Sequence, residues 1–430
     1  MNKQFAFIGA ISGFMIFLTV SLSAQPPQAW VARYNGGFSN QSHVPLAMAL
    51  DNAGNIYVAG SSQNASNLYD YVVLKYSPGG AQLFASRYSS TNGTNYNVNG
   101  FALDQNGNTY ETGTGGTVKF ASNGIVAWTA PYAGNDVAVD TNGNTYVTGF
   151  STSTYATVKL DANGGNLWLQ TYMEIYNYNG DAPAISQKVA VDNAGDVFVA
   201  GFATWCDVED NGTLYNYAHR TVIMYDAFGN PVWTNAPDGG ERFGTIKGLI
   251  PDNHGNVYVT ENDDYYYATA QLTSSGQQAW FFVYGPPGVA AMALDANTNV
   301  YLTGGVESGF AYGTFKLDST GNELWQARYS GTSSNYTFNE ANGIALDSIG
   351  SVYVNGVSTN SGTGTDFATI KYDSNGNQLW VTRHNGLGNG NDGGNAIAVA
   401  PDGSVYVRGT PPIRTAARTS QPSNTRPHRF

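Results

Sequence analysis

Ala345-Leu346-Asp347-Ser348-Ile349-Gly350-Ser351-Val352-Tyr353-Val354-Asn355-Gly356 is the stretch on which the fold turns, because it recurs along the chain. Its aromatic position is held by Tyr57, Tyr110, Tyr146, Phe198, Tyr258, Tyr301, Tyr353 and Tyr406. Six residues earlier stands Asp51, Asp104, Asp140, Asp192, Asp252, Asp295 or Asp347, and the last copy has Ala400 there with Asp402 displaced. Three residues before the aromatic comes Gly54, Gly107, Gly143, Gly195, Gly255, Gly350 or Gly403, with Thr298 the one departure. Successive copies lie between 36 residues (Tyr110 to Tyr146) and 60 residues (Phe198 to Tyr258) apart, a period of the size of a propeller blade.

A second phrase follows each of the first seven copies. Its clearest form is Phe367-Ala368-Thr369-Ile370-Lys371-Tyr372-Asp373-Ser374-Asn375-Gly376-Asn377-Gln378-Leu379-Trp380. The aromatic end recurs as Phe84, Trp128, Trp168, Trp233, Trp280, Trp325 and Trp380, and an eighth copy of that end stands alone as Trp30-Val31-Ala32-Arg33-Tyr34. In both phrases two β-rich runs flank an Asp/Asn/Gly cluster, which is the chemistry of a tight reversal. Each repeat therefore supplies four strands: a small-residue inner strand, a Tyr-Val-x-Gly strand, a Thr-x-Lys-Tyr strand and an outer strand opening near Trp. Small inner residues suit the taper toward a central axis, and large aromatics fill the widening wedge outside.

The expected fold is all-β, a β-propeller of four-stranded antiparallel blades over residues 25–409. The repeated Asp-x-x-Gly-Asn-x-Tyr-Val-x-Gly core resembles the SBBP family of bacterial β-propeller repeats, over about residues 30–409. That resemblance implies seven blades, whereas the repeat count favours eight with the last incomplete, closed by the Trp30 strand lying outermost in the blade begun at Ala396. From Thr410 to Phe430 the repeat stops. Arg414, Arg418, Arg426 and Arg429 appear there with no acid, and a basic, disordered tail is expected.

Composition agrees and narrows the function. Charged residues are 12% of the 430, while glycine numbers 52 and tyrosine 29, a balance short of helix formers and rich in strand and turn formers. No amphipathic segment of 3.6-residue period is present, which excludes helical bundles and doubly wound α/β enzymes. A net charge of −12 excludes nucleic acid as a partner, since phosphates require a basic footprint. Cys206 is the only cysteine, so no disulfide scaffold exists. Lys3, the apolar run Phe5–Val20 and the small residues Ser21, Ser23 and Ala24 form the order of a signal peptide over residues 1–24, cleaved after Ala24. A secreted, periplasmic or cell-surface protein without a later membrane span is expected.

All large length variation falls in the connections between second and third strands and between outer and next inner strands. These lie on one face of the propeller, opposite the Asp/Asn/Gly turns, and variable loops on a rigid scaffold are where binding sites concentrate. Three consecutive insertions carry candidate residues. The first, at 202–219, holds Trp205, Asp207, Glu209, Asp210, Tyr215 and Tyr217. The second, at 171–187, holds Tyr176 and Tyr178. The third, after Val259, holds Asp263, Asp264 and Tyr265. Aromatic rings beside carboxylates suit a glycan, whose C–H faces stack on rings, or a protein anchored on Tyr and Trp.

No catalytic constellation is recognisable, and no cofactor is called for. Calcium is the one cation the acidic turns or loops could hold, although seven copies in one hairpin slot fit turn capping better. The expected function is an exported binding or scaffold module for a protein or glycan partner. The alternative is a secreted lyase or hydrolase acting on carbohydrate, which would need facing carboxylates in a deep axial pocket.

Overall fold

Asp51 shows why each repeat opens with a hairpin. Its Oδ1 accepts the backbone N–H groups of Ala53 (3.0 Å) and Asn55 (2.8 Å). Its Oδ2 accepts the Asn55 side-chain amide (2.8 Å) and the Tyr57 hydroxyl (3.2 Å). Gly54 then takes φ +77°, the left-handed conformation that reverses the chain. The same four bonds recur at Asp104, Asp140 and Asp295. Each aspartate thus caps its own turn, as the spacing predicts. Thr298, which replaces glycine in its copy, adopts φ +59°, a conformation strained for a β-branched residue.

The computed structural model describes residues 28–37, 41–90, 93–149, 151, 154–173, 184–208, 214–237, 244–262, 267–284, 288–306, 310–331, 338–360, 364–385 and 393–410. Thirty strands, β1 to β30 in chain order, form seven four-stranded antiparallel sheets and one two-stranded sheet among these residues. The seven blades span 43–88, 98–130, 136–172, 184–235, 245–284, 289–329 and 339–384. The last repeat contributes only β29 (Gly393–Val399) and β30 (Val405–Thr410). This pair packs against the seventh blade on one side and the first on the other. The propeller of four-stranded blades is as the sequence predicts, with seven complete. The leader and all of the tail beyond Thr410 lie outside the described residues.

Alternate residues of the second strand face opposite neighbours. Tyr146 packs forward with Val189, Val197 and Val199 of the fourth blade, while Val147 packs backward with Tyr110 and Ala130 of the second. Both faces of the strand are therefore buried, which is why it reads as an unbroken apolar run. At the outer edge the indoles of the second to sixth blades, Trp128, Trp168, Trp233, Trp280 and Trp325, dock onto the next blade. Trp128 Nε1 donates to the Ala162 carbonyl (3.0 Å), Trp233 to Ser274 (3.1 Å), Trp280 to Ser319 (3.1 Å) and Trp325 to Ser374 (3.0 Å). The acceptor sits in a turn whose glycine lies under the ring; a Cβ at Gly376 would stand 2.7 Å from Trp325 Cδ2. Lysines of the third strand complete the corner, with Lys75, Lys119, Lys159, Lys316 and Lys371 over tyrosine rings of their own blades.

Trp30 repeats this geometry at the N-terminus. Its Nε1 donates to the Pro78 carbonyl (2.9 Å), and its ring lies 6.3 Å from Tyr76 and 6.0 Å from Tyr406. For Trp325 the matching separations are 6.4 Å to Tyr372 and 6.2 Å to Tyr301. Tyr34 follows suit, receiving Arg87 Nη2 at 3.3 Å as Tyr329 receives Arg383 Nη2. The N-terminal segment therefore occupies the outer-strand place of the sheet formed by β29 and β30, one strand position away from β30.

Replacing the half-buried Trp325 by alanine should destabilise the protein by about 2–4 kcal/mol through lost packing. Gly376→Ala should cost about 1–3 kcal/mol from backbone strain and the clash beneath the indole. The two costs should not add, because removing the ring removes the clash. A double-mutant cycle by urea unfolding measures this, and full additivity would contradict the docking contact.

Candidate functional site: the loop face

Topology alone brings four strand ends together on the face opposite the capped turns: the start of each inner strand, the end of the second, the start of the third and the end of the outer. The structure turns the first predicted insertion into something firmer than a loop. Strand β14 (Val197–Val208) pairs with β15 (Leu214–Tyr225) through twelve consecutive register positions, whereas the other strands have four to nine residues among those described. Residues 202–208 and 214–219 are therefore a two-stranded ribbon rising from the fourth blade. Trp205 stands opposite Tyr217, and Asp207 opposite Tyr215. With the two-residue strand period, these four register positions fall on one face of the ribbon. Glu209, Asp210, Tyr176, Tyr178, Asp263, Asp264 and Tyr265 lie outside the described residues.

The ribbon has a built base. Ala203, on the same register face as Trp205, is fully buried with Tyr146 and Tyr155 of the third blade, and Tyr155 donates its hydroxyl to the Thr221 carbonyl (3.3 Å). On the opposite face Phe202 packs with Ile246 and Val259 of the fifth blade. Arg220, buried, reaches Glu261 at 3.4 Å, and burial pulls its guanidinium below its ordinary range despite that carboxylate.

Inside the ribbon, around the axis, lies a polar belt that the sequence reading missed. Inner strands carry a β-bulge near this face, with register shifts at Val98/Gly100, Ser186/Lys188, Ile246/Gly248 and Ala341/Gly343. A bulge re-aims the extra residue, and here it aims it at the next sheet. Asn99 donates to the Gly134 carbonyl (3.2 Å), Gln187 accepts the Ile246 N–H (2.8 Å), and Asn342 donates to the Gly394 carbonyl (2.8 Å). Asp136 joins the third and fourth blades, accepting the Val189 N–H (3.1 Å) and facing Lys188 (3.8 Å). Burial raises the Asp136 carboxyl, while Lys188 and the N–H bonds oppose the shift. Glu340 is likewise raised by burial, with Lys247 opposing it from two blades away. The signal available in sequence was polar residues at the same offset of an otherwise small, apolar strand.

In the first blade the polar ends form a closed network. Buried Asp70 accepts Arg87 Nη1 (2.9 Å), the Ser89 hydroxyl (2.9 Å) and the Asn64 amide (3.0 Å). Burial disfavours the Arg87 charge, but Asp70 and Tyr34 outweigh it and raise its pKa. On the opposite face, the turn carboxylates bordering the cleft between Asp140 and Asp192 are engaged by their own turns. Among the described residues no group of three or more His, Cys, Asp and Glu is placed to hold a metal ion, and no helix is long and apolar enough to cross a membrane.

No family model matches the chain, and no curated protein matches it. Among solved structures it is similar to a Dos1 propeller, at 12% identity and TM-score 0.56, over 86% of this chain and 91% of that one. It is also similar to the extracellular domain of a hybrid two-component system from B. thetaiotaomicron, at 12% identity and TM-score 0.42, over 85% of this chain and 50% of that one. At these identities the first likeness shows the propeller fold and nothing of activity.

One buried acid belongs to no site. Glu111 is fully buried and neither carboxyl oxygen has a hydrogen-bond partner. It holds the repeat position that Val58, Val147, Val199, Val259, Leu302 and Val354 fill elsewhere. Burial pushes its pKa well above 4.5, so the folded state binds a proton that the unfolded state releases above that pH. Stability therefore falls as pH rises from about 4.5. Glu111→Leu should stabilise by about 1–3 kcal/mol at pH 7.5 and by less at pH 4.5. Urea unfolding of both proteins at the two pH values tests this; a gain that is equal at both would contradict the buried, protonated carboxyl.

Proposed function

We propose that this chain is an exported SBBP-type propeller that acts as a binding module, engaging a protein or glycan of the extracellular space or envelope on its loop face. The observation that carries this reading is the β14–β15 ribbon, which sets Trp205, Asp207, Tyr215 and Tyr217 on one register face above a base packed against two neighbouring blades. Tyr and Trp give large contact area at low entropic cost, and carboxylates orient a partner through its donors. A platform held by rigid blades also spares the partner the cost of ordering a loop. A protein partner fits better than a glycan, because a ribbon of paired strands offers an extended contact surface. The order of the leader, Lys3, then the apolar run Phe5–Val20, then the small residues Ser21, Ser23 and Ala24, supports export.

The register pair Ala203 and His219 allows the ribbon to be removed cleanly, by replacing residues 204–218 with an Asn-Gly turn. The shortened protein should unfold within a few degrees of the parent. Cross-linking to envelope extracts and glycan-array binding should fall at least tenfold for whichever partner the parent retains. Retention of that partner at parental strength would overturn the assignment of the ribbon. Export should leave Gln25 as the first residue of the mature chain by mass spectrometry; a retained leader would contradict cleavage there.

A further inference from the structure

The outer place of the last blade is filled by the Trp30–Tyr34 segment and the inner places by β29 and β30, yet among the described residues no strand lies between β30 and that segment. In the complete blades that interval belongs to the third strand, as β27 (Gly364–Tyr372) lies between β26 (Val352–Asn360) and β28 (Gln378–His384). Trp30 has not closed onto β30. Its ring stands 6.0 Å from Tyr406, as far as Trp325 stands from Tyr301 (6.2 Å) with β23 (Ala311–Leu317) between their strands. The interval is one strand wide.

Arg408 supplies a second, independent observation. It holds the repeat position of Thr112, Thr148, Thr260 and Thr303, whose hydroxyls bond a third-strand threonine directly opposite: Thr117, Thr157, Thr269 and Thr314, at 2.8–3.2 Å. The residue opposite Arg408 would belong to a third strand, which no described residue supplies. Arg408 is 8% exposed, its Nε and Nη1 have no acceptor, and burial pulls its pKa down to about 10. A buried guanidinium with unmet donors is costly until an acceptor arrives.

We propose that β29, β30 and the Trp30–Tyr34 segment form an eighth blade whose third strand is supplied by a separate polypeptide, added antiparallel to β30 with an aspartate or glutamate opposite Arg408. Backbone pairing to the β30 edge provides affinity, as in β-augmentation, and closing an open edge removes an aggregation liability. The seven resident third strands define the rest of the recognised sequence. A lysine two residues after the acid would lie over the Tyr406 ring as Lys371 lies over Tyr353, and an apolar residue between them would face the sheet like Ile370. Residues 411–430 carry four arginines and no aspartate or glutamate, so their side-chain charge does not complement Arg408. This site is separate from the ribbon, and either can fail without the other.

The test uses the full chain and a labelled peptide of residues 365–373, Thr-Asp-Phe-Ala-Thr-Ile-Lys-Tyr-Asp, alone and with the change Thr369→Asp. Anisotropy should show saturable one-to-one binding, at least tenfold tighter for the Thr369→Asp peptide, and none for a scrambled sequence. Hydrogen exchange should slow in Val405–Thr410 and in residues 28–37. In Arg408→Ala protein the tenfold preference should vanish while binding of the unsubstituted peptide persists. If that variant does not fold, the two peptides on the parent protein still decide. Absence of binding by either peptide, protection of β30 before any peptide is added, or binding that leaves β30 exchange unchanged would each overturn the proposal.

Discussion

Everything in this molecule hangs on an indole lying over a glycine of the next blade and donating its N–H to that turn's carbonyl. The contact does three things at once. It buries a large ring at the widest part of the wedge, where small inner-strand residues leave the most space. It satisfies the ring's single polar atom, which burial would otherwise penalise. It also fixes the angle between sheets, because the glycine under the ring excludes any side chain. A repeat that preserves Trp, Gly and the capped turn can tolerate wide variation elsewhere, and the chain uses that freedom on its loop face.

The polar ends of the blades carry the complementary constraint. Inner strands converge near the axis, where backbone groups of adjacent sheets cannot pair with each other as they do within a sheet. Bulged Asn99, Gln187 and Asn342 bridge that gap with side-chain bonds to the next sheet. Two positions break the pattern. Glu111 places an acid where the repeat wants valine, and Arg408 places a cation where it wants threonine. The first is fully buried without a partner and has only a thermodynamic consequence. The second borders a strand position that no described residue fills, which makes it chemistry addressed to something outside the described fold.

Most of the architecture was legible in the sequence because the repeat is both local and periodic. Asp51, Gly54 and Tyr57 announce a hairpin by themselves, and seven further copies announce blades. The candidate site was legible only in part. Residues 202–219 looked like a loop because they exceed the repeat, yet Trp205 with Asp207 and Tyr215 with Tyr217 already alternate as strand residues do; length was given more weight than period. The axial belt was invisible for a different reason. A bulge is a change in pairing count, two residues against one, and no single-strand pattern reports what the partner strand is doing.

Ring closure through Trp30 is the most exposed consequence of this account, and hydrogen exchange resolved by strand tests it directly in Trp30→Ala protein. The account predicts faster exchange together in β1 (His43–Leu50) to β4 (Gln82–Tyr88) of the first blade and in the β29–β30 sheet, with the middle blades little changed. Faster exchange confined to residues 28–37, with the first blade and β29–β30 unaffected, would contradict it.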